Sequence, residues 1–169
     1  MKVSVIIPCY NFENYIEQAV LSALNQKTNF EFEILVGDDK STDKSIENII
    51  RYSNIRIIEP STNLGAPKSI KNLIDNSRGE YIAYLDGDDY WTDSSKLQRQ
   101  IDYMGSNPDC IMTFTGYWMK NSEGYIPPTH EQWLCLPNGY QNNQVTTEHL
   151  LSGNPATFGR VFRNVTGLI

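Results

Sequence analysis

Residues 81–91 read YIAYLDGDDYW, an apolar run followed at once by three carboxylates. The apolar part predicts a buried strand. Gly87 between the acids predicts a turn, because glycine adopts backbone conformations that other residues avoid. Asp86, Asp88 and Asp89 are therefore expected together at the carboxyl end of a strand. Crowding their charges costs free energy unless a cation offsets them.

A divalent metal is the simplest source of that positive charge. Mg²⁺ and Mn²⁺ prefer oxygen ligands and often take only one or two carboxylates from the protein, with phosphate oxygens of a substrate as further ligands. This pattern predicts a metal–diphosphate site among these carboxylates. The alternative is a solvated acidic turn that caps the next helix. The rest of the chain has to decide between them.

Composition excludes several classes of protein. At 169 residues and 40% hydrophobic, the chain is long enough for one domain with a real core. A net charge of −6 without a basic run argues against a nucleic-acid partner. Three separated cysteines without a C-x-x-C pattern argue against a disulfide framework. No signal peptide and no apolar segment long enough to span a membrane is visible. The predicted setting is cytoplasmic, either free or peripheral at the inner face of the membrane.

Strand-like and helix-like segments alternate along the first part of the chain. The predicted strands are Val3–Ile7, Phe32–Val36, Ile55–Ile58 and Tyr81–Leu85, and apolar residues at helical spacing separate them. This alternation indicates an α/β fold, with a mostly parallel sheet and helices on both faces. In such sheets, ligands bind beyond the carboxyl ends of the strands.

Three polar clusters follow predicted strands at that end: Pro8–Asn11, Gly37–Asp43 and Asp86–Asp89. They are distant in sequence, yet a parallel sheet can place them along one edge. This convergence favours a functional site over a solvated turn.

The pattern is looser after Trp91. A helix carrying Leu97, Ile101 and Met104 and a strand at Cys110–Thr115 are predicted. Residues 116–144 show no clear period, which is typical of a functional or mobile loop. Thr146 or Thr147 can cap a short helix, and residues 158–162 predict a last strand.

The chain resembles the family 2 glycosyltransferases, which have the GT-A fold. Residues 3–11 resemble the first strand and turn of that family, and residues 36–43 resemble its acidic second-strand motif. Residues 63–65, 78–82 and 85–89 resemble the segment that ends in its D-x-D metal site. Matches in this order and spacing are specific over residues 2–105, and the resemblance continues more loosely to residue 163.

The resemblance implies a nucleoside-diphosphate sugar, of UDP type, as the donor. The implied nucleotide-binding residues are Pro8, Tyr10, Asn11, Asp38, Asp39, Lys68 and Asp86, the implied metal ligands are Asp86 and Asp88, and the implied cofactor is Mn²⁺ or Mg²⁺. The ring of Tyr10 would give the base a stacking face, and Asp39 would accept a hydrogen bond from a base N–H. Asp86 would contact either the ribose or the metal, and Asp89 would support the metal ligands from behind. Lys68 or Lys71 would meet the base or diphosphate, unless each is a solvated helix lysine.

The implied reaction is an inverting, hexosyltransferase-like transfer to a saccharide or lipid-linked saccharide. In the family, the catalytic base lies in an acidic motif downstream of the strand that residues 153–163 resemble. The last six residues contain no acid, so the base is expected beyond Ile169. The chain is therefore expected to be one GT-A domain, truncated at its carboxyl end. Residues 1–105 would form its nucleotide and metal half, and residues 106–169 the start of its acceptor half.

Two other interpretations are compatible with parts of this pattern. One is a non-catalytic nucleotide-binding module of the same fold, which the missing base favours. The other is a phosphoryl-transfer enzyme that uses Asp86 and Asp88, although a D-x-D phosphatase usually carries the motif after its first strand. P-loop and dinucleotide-binding glycine signatures are absent.

Overall fold

A computed structural model describes residues 1–115 and 160–164, together with the backbone of 119–121, 124–126 and 135–137. The strands are β1 (Val3–Cys9), β2 (Phe32–Asp38), β3 (Arg56–Ile58), β4 (Tyr81–Tyr84), β5 (Cys110–Thr113), β6 (Met119–Asn121), β7 (Gly124–Ile126), β8 (Cys135–Pro137) and β9 (Val161–Arg163). The helices are α1 (Ile16–Leu24), α2 (Ser45–Ile49), α3 (Ala66–Asp75) and α4 (Lys96–Ser106).

Seven of these strands form one sheet in the order β3-β2-β1-β4-β9-β5-β8, and β6 pairs with β7 separately. Strands β3, β2, β1 and β4 are parallel, as the alternating pattern predicts. Strand β9 is antiparallel to both β4 and β5. The insertion of β9 beside β4 was not predicted, because no local pattern shows which strand a late segment will join.

Two apolar layers cover the sheet because successive strand residues face opposite sides. Val3, Val5 and Ile7 of β1 pack with the buried faces of α1, α2 and α4. Ile6 points to the other side, where it belongs to the cluster around Leu73 of α3. The predicted α/β fold with helices on both faces is thereby confirmed.

Strands β1 and β2 are each two residues longer than predicted. Pro8 lies within β1 and pairs with Gly37, whereas a turn was predicted there. Proline lacks the N–H that an interior strand residue donates. It is tolerated because the pairing of β4 with β1 reaches only Ile6, opposite Tyr84, so Pro8 has a strand neighbour on the β2 side alone.

The expectation of an unstructured loop at 116–144 is corrected in part. Strands β6, β7 and β8 fall within it, and each is too short to produce a period. The helix predicted at 146–151 and most of residues 153–163 lie outside the described residues. Cys110 is disulfide-bonded, a bond that the number and spacing of the cysteines did not predict.

Among the helices of the described residues, none combines the length and apolar character needed to cross a bilayer.

Candidate functional site

Three loops meet where β1, β2 and β4 end. Cys9 of β1 lies opposite Asp38 of β2. The backbone N–H of Asp39 donates to the carbonyl of Cys9 at 2.9 Å, and the N–H of Leu85 donates to the carbonyl of Ile6 at 3.1 Å. The structure therefore brings the three polar clusters to one edge of the sheet, with the end of β1 between the other two.

Asn11 joins the loop after β1 to the loop after β2. Its backbone is left-handed, with φ of 57°, a conformation that asparagine tolerates better than most residues. Its Oδ1 accepts the N–H of Thr42 at 2.8 Å, and its own N–H donates to Ser41 Oγ at 3.0 Å. The N–H of Phe12 donates to Ser45 Oγ at 2.8 Å. Asn11 is thus a residue that shapes the site, in addition to its predicted donor-binding role.

Asp39 is buried and holds the loop that precedes α3. Its Oδ1 accepts the N–H of Leu64 at 2.7 Å, and its Oδ2 accepts the N–H of Gly65 at 2.8 Å. Each carboxylate oxygen can accept more than one hydrogen bond, so these two contacts leave acceptor capacity on Asp39. The neighbouring Asp38, also buried, accepts the N–H of Ser41 at 3.1 Å.

The remaining residues predicted on the nucleotide side are more accessible. Tyr10 is 47% exposed, so its ring has a free face on which a flat ligand can stack. Pro8 is half-buried, and Lys68 is exposed near the start of α3. Lys71 forms an ion pair with Asp75 at 2.8 Å, one turn along the same helix.

Gly87 is required for close packing, which differs from the predicted reason. Its φ is not among the positive values of the described backbone, so backbone freedom is not what it supplies. A Cβ at this position would lie 2.6 Å from the Pro8 carbonyl oxygen and 2.9 Å from Cδ2 of Phe12. The acidic turn, residues Asp86–Asp89, therefore rests directly on the end of β1.

Gly87→Ala is expected to displace the acidic turn, because the added methyl group has no space against Pro8. If Asp86 and Asp88 bind a metal-bound diphosphate, its affinity should fall by roughly tenfold or more. Calorimetric titration with UDP and Mn²⁺ measures the change. Gly105→Ala on α4, where a Cβ meets nothing within 4 Å, is the matched control. Equal affinity in both variants would contradict the prediction.

The acidic turn concentrates negative charge as the sequence predicts. Asp86 and Asp89 are half-buried and Asp88 is exposed. Tyr84 Oη donates to Asp86 Oδ1 at 2.6 Å. Burial raises the pKa of Asp86. Burial and the nearby charges of Asp88 and Asp86 raise the pKa of Asp89 to about 6. A cation placed here would relieve this repulsion.

The donor set fits a divalent cation that takes part of its coordination from a ligand. No cluster of three or more Asp, Glu, His or Cys side chains suited to a metal occurs within residues 1–115 and 160–164. The pair Asp86 and Asp88 offers hard oxygen donors, and Mg²⁺ or Mn²⁺ commonly binds one or two carboxylates with phosphate oxygens completing the shell.

Cys9, the buried thiol nearby, has a pKa raised by burial, so it is unsuited to act as a nucleophile.

One residue near the acidic turn was missed by the sequence analysis. Arg160 is 4% exposed, and its guanidinium lies 4.4 Å from the centroid of the Tyr84 ring. No local motif marks it, because only the pairing of β9 with β4 brings it beside Tyr84.

Four parallel strands, helices on both faces of the sheet, and polar loops beyond the ends of β1, β2 and β4 define an α/β protein, a class in which ligands commonly bind at that edge. The chain belongs to glycosyl transferase family 2, whose family model matches residues 4–164. Its fold is the GT-A fold of that family.

Individual relatives agree with this assignment. The chain is 41% identical over 117 residues to a poly(ribitol-phosphate) beta-glucosyltransferase of Bacillus spizizenii, covering 66% of this chain and 18% of the relative. It matches the crystal structure of S. aureus TarS residues 1–349 with a TM-score of 0.69 and 25% identity, covering 97% of this chain and 47% of that one. The mannosyltransferase PcManGT of Pyrobaculum calidifontis, at 19% identity and a TM-score of 0.62, shares the fold over 72% of this chain and 36% of its own. The chain thus spans less than half the length of each.

Proposed function

We propose that this chain forms the donor-binding part of an enzyme that transfers a sugar from a nucleoside diphosphate, of UDP type, to a saccharide or lipid-linked saccharide. The observation that carries the proposal is the meeting of two kinds of residue at one edge of the sheet. Tyr10 and Asp39 lie on the β1–β2 side, and Asp86 and Asp88 lie on the β4 side. The end of β1 lies between the two sides. One nucleotide that extends across it would place its base on the first side and its diphosphate on the second.

On the nucleotide side, the exposed ring of Tyr10 stacks on the base, and Pro8 lines the pocket beside it. Asp39 accepts a hydrogen bond from a base N–H while its backbone contacts hold the loop at Leu64 and Gly65. Asn11 and Asp38 support these two residues through their contacts with the loop after β2. Lys68, exposed on the first turns of α3, provides a positive charge toward the donor.

On the β4 side, Asp88 and Asp86 would hold Mn²⁺ or Mg²⁺, and Asp86 would also contact the ribose. When bound, the metal supplies stabilisation of the negative charge that develops on the departing diphosphate. Asp89, half-buried in the same turn, would contribute its charge to that cation. The three carboxylates are held in place because Gly87 packs on Pro8.

Two proteins with this fold have been crystallised with ligands of this kind. TarS, which shares this fold, has been crystallised with UDP and with UDP-GlcNAc. PcManGT has been crystallised with GDP-Man and Mn²⁺. The name of the Bacillus spizizenii relative indicates a poly(ribitol phosphate) acceptor, which supports a role in the synthesis of cell-wall polymers. We propose a cytoplasmic reaction, at the inner face of the membrane where lipid-linked acceptors are available.

We also propose a division of the domain, a stereochemical outcome of the transfer and a type of catalytic base. Residues 1–105 form the nucleotide and metal half, and residues 106–169 belong to the acceptor half. Transfer inverts the anomeric centre. A carboxylate outside the loops after β2 and β4 removes the proton from the acceptor hydroxyl.

Calorimetric titration with UDP, GDP and CDP, each with and without Mn²⁺, tests the proposal. We expect UDP to bind most tightly, with a dissociation constant on the order of micromolar, and more tightly with Mn²⁺ than without. Absence of binding by all three nucleotides would contradict it. Sugar transfer by the longer protein then distinguishes an enzyme from a non-catalytic nucleotide-binding module.

A further inference from the structure

Arg160 is a buried arginine that precedes β9 directly and lies beside the acidic turn. Its guanidinium lies 4.4 Å from the centroid of the Tyr84 ring. Its backbone carbonyl accepts the N–H of Tyr84 at 2.9 Å. The pairing of β9 with β4 therefore fixes the backbone of Arg160, while the stacked ring fixes its side chain.

Tyr84 connects this arginine to the acidic turn. Its hydroxyl donates to Asp86 Oδ1 at 2.6 Å. The ring of Tyr84 therefore has the buried guanidinium of Arg160 on its face and the carboxylate of Asp86 at its hydroxyl. This arrangement places a cation close to the acidic turn.

We propose that Arg160 is a positioning residue of the donor site, an internal cation that offsets part of the charge of the acidic turn. It thereby sets how strongly nucleoside-diphosphate binding depends on a divalent metal. This inference rests on the proposed function. Without Arg160, an incoming diphosphate would face the carboxylates of Asp86, Asp88 and Asp89, and the metal alone would have to offset their repulsion. With Arg160, part of that repulsion is removed before a metal binds.

Arg163 provides a matched control three residues further along the chain. Its guanidinium lies 5.2 Å from the centroid of the Tyr81 ring and donates to Tyr81 Oη at 2.9 Å and to the Met104 carbonyl at 3.1 Å. It lies opposite Tyr81, the first residue of β4. Arg163 therefore shares the residue type and the aromatic contact of Arg160, but it lies at the end of β4 away from the acidic turn.

The test compares UDP affinity of the chain in EDTA with its affinity in saturating Mn²⁺, by calorimetry. Arg160→Met is expected to weaken metal-free UDP binding by about tenfold, the size of one screened charge interaction, and to change binding with Mn²⁺ much less. Uridine, which lacks phosphate, should bind the variant as it binds the unmodified chain. Arg160→Lys should restore most of the metal-free affinity, and Arg163→Met should leave the ratio of the two affinities unchanged.

Equal losses with and without Mn²⁺, or an equal loss for uridine, would show a merely structural role and overturn the inference. Thermal melting checks folding, and Arg160→Gln, which keeps a polar group in place, carries the same comparison if Arg160→Met does not fold. If the unmodified chain binds UDP, and Arg160→Met or Arg160→Gln leaves the ratio of UDP affinities with and without Mn²⁺ unchanged, only the role given to Arg160 is refuted. If the unmodified chain binds no nucleotide under either condition, the proposed function fails as well.

Discussion

Asp88→Asn is expected to abolish the gain in UDP affinity that Mn²⁺ provides, a loss of at least about 100-fold. Even residues that only orient a metal ligand typically contribute 10–100-fold in metal affinity, and a neutral amide is a weak ligand for a hard cation. Asp88 is exposed, so the core is unaffected. Metal-free UDP binding should stay the same or rise, because one repelling charge is removed.

Titration of UDP with and without Mn²⁺ measures this difference, and electron paramagnetic resonance reports bound Mn²⁺ directly. Asp102→Asn is the matched control. Asp102 is an exposed acid on α4 that accepts a hydrogen bond from Gln98 at 2.8 Å, so the substitution makes the same charge change away from the acidic turn. Retention of the full Mn²⁺ effect in Asp88→Asn would show that the metal, if bound, is held elsewhere.

Gly79→Ala is expected to cause a large loss in the free energy of unfolding. A Cβ there would lie 2.3 Å from the backbone nitrogen of Ser4 and 2.6 Å from the carbonyl carbon of Val3. Backbone atoms of a central strand cannot move aside as a side chain can. The N–H of Gly79 also donates to Ser4 Oγ at 2.8 Å, and Ser4 Oγ donates to Glu33 at 2.7 Å. Overpacking and the loss of this buried hydrogen bond should together cost about 3 kcal/mol.

For a chain of this size, that loss corresponds to a melting temperature lower by about 6–12 °C. Differential scanning calorimetry measures it. Gly105→Ala gives the opposite expectation, because Gly105 is exposed within α4 and alanine favours helix by about 0.5–1 kcal/mol. If the melting temperature changed by the same amount in both variants, the close contact between residue 79 and the backbone of Ser4 would not be what limits stability.

Local pattern predicted most elements up to residue 106. Apolar spacing placed α1, α3 and α4 because each helix buries one face against the sheet. It was least accurate at strand ends, where Pro8 and Gly37 continue the strands instead of turning. The three short strands within 116–144 were missed because three residues form no period, and pairing alone makes them strands.

The site was predicted unevenly for a similar reason. The acidic clusters at the ends of β2 and β4 could be located because their carboxylates lie next to one another in the sequence. The contacts that hold them were not found. Asp39 binds the backbone at Leu64 and Gly65, and Gly87 excludes a side chain because Pro8 lies against it. Such contacts join segments far apart in the chain.

The sequence by itself determined the alternation of strands and helices, the sheet edge at which polar loops gather, and the family. These depend on residue spacing within one segment, which sets the faces of strands and helices. Only the tertiary structure decided that Arg160 lies beside Tyr84 and that Asn11 joins two loops. Those contacts form between segments whose meeting depends on strand order, and strand order arises from the packing of the whole sheet.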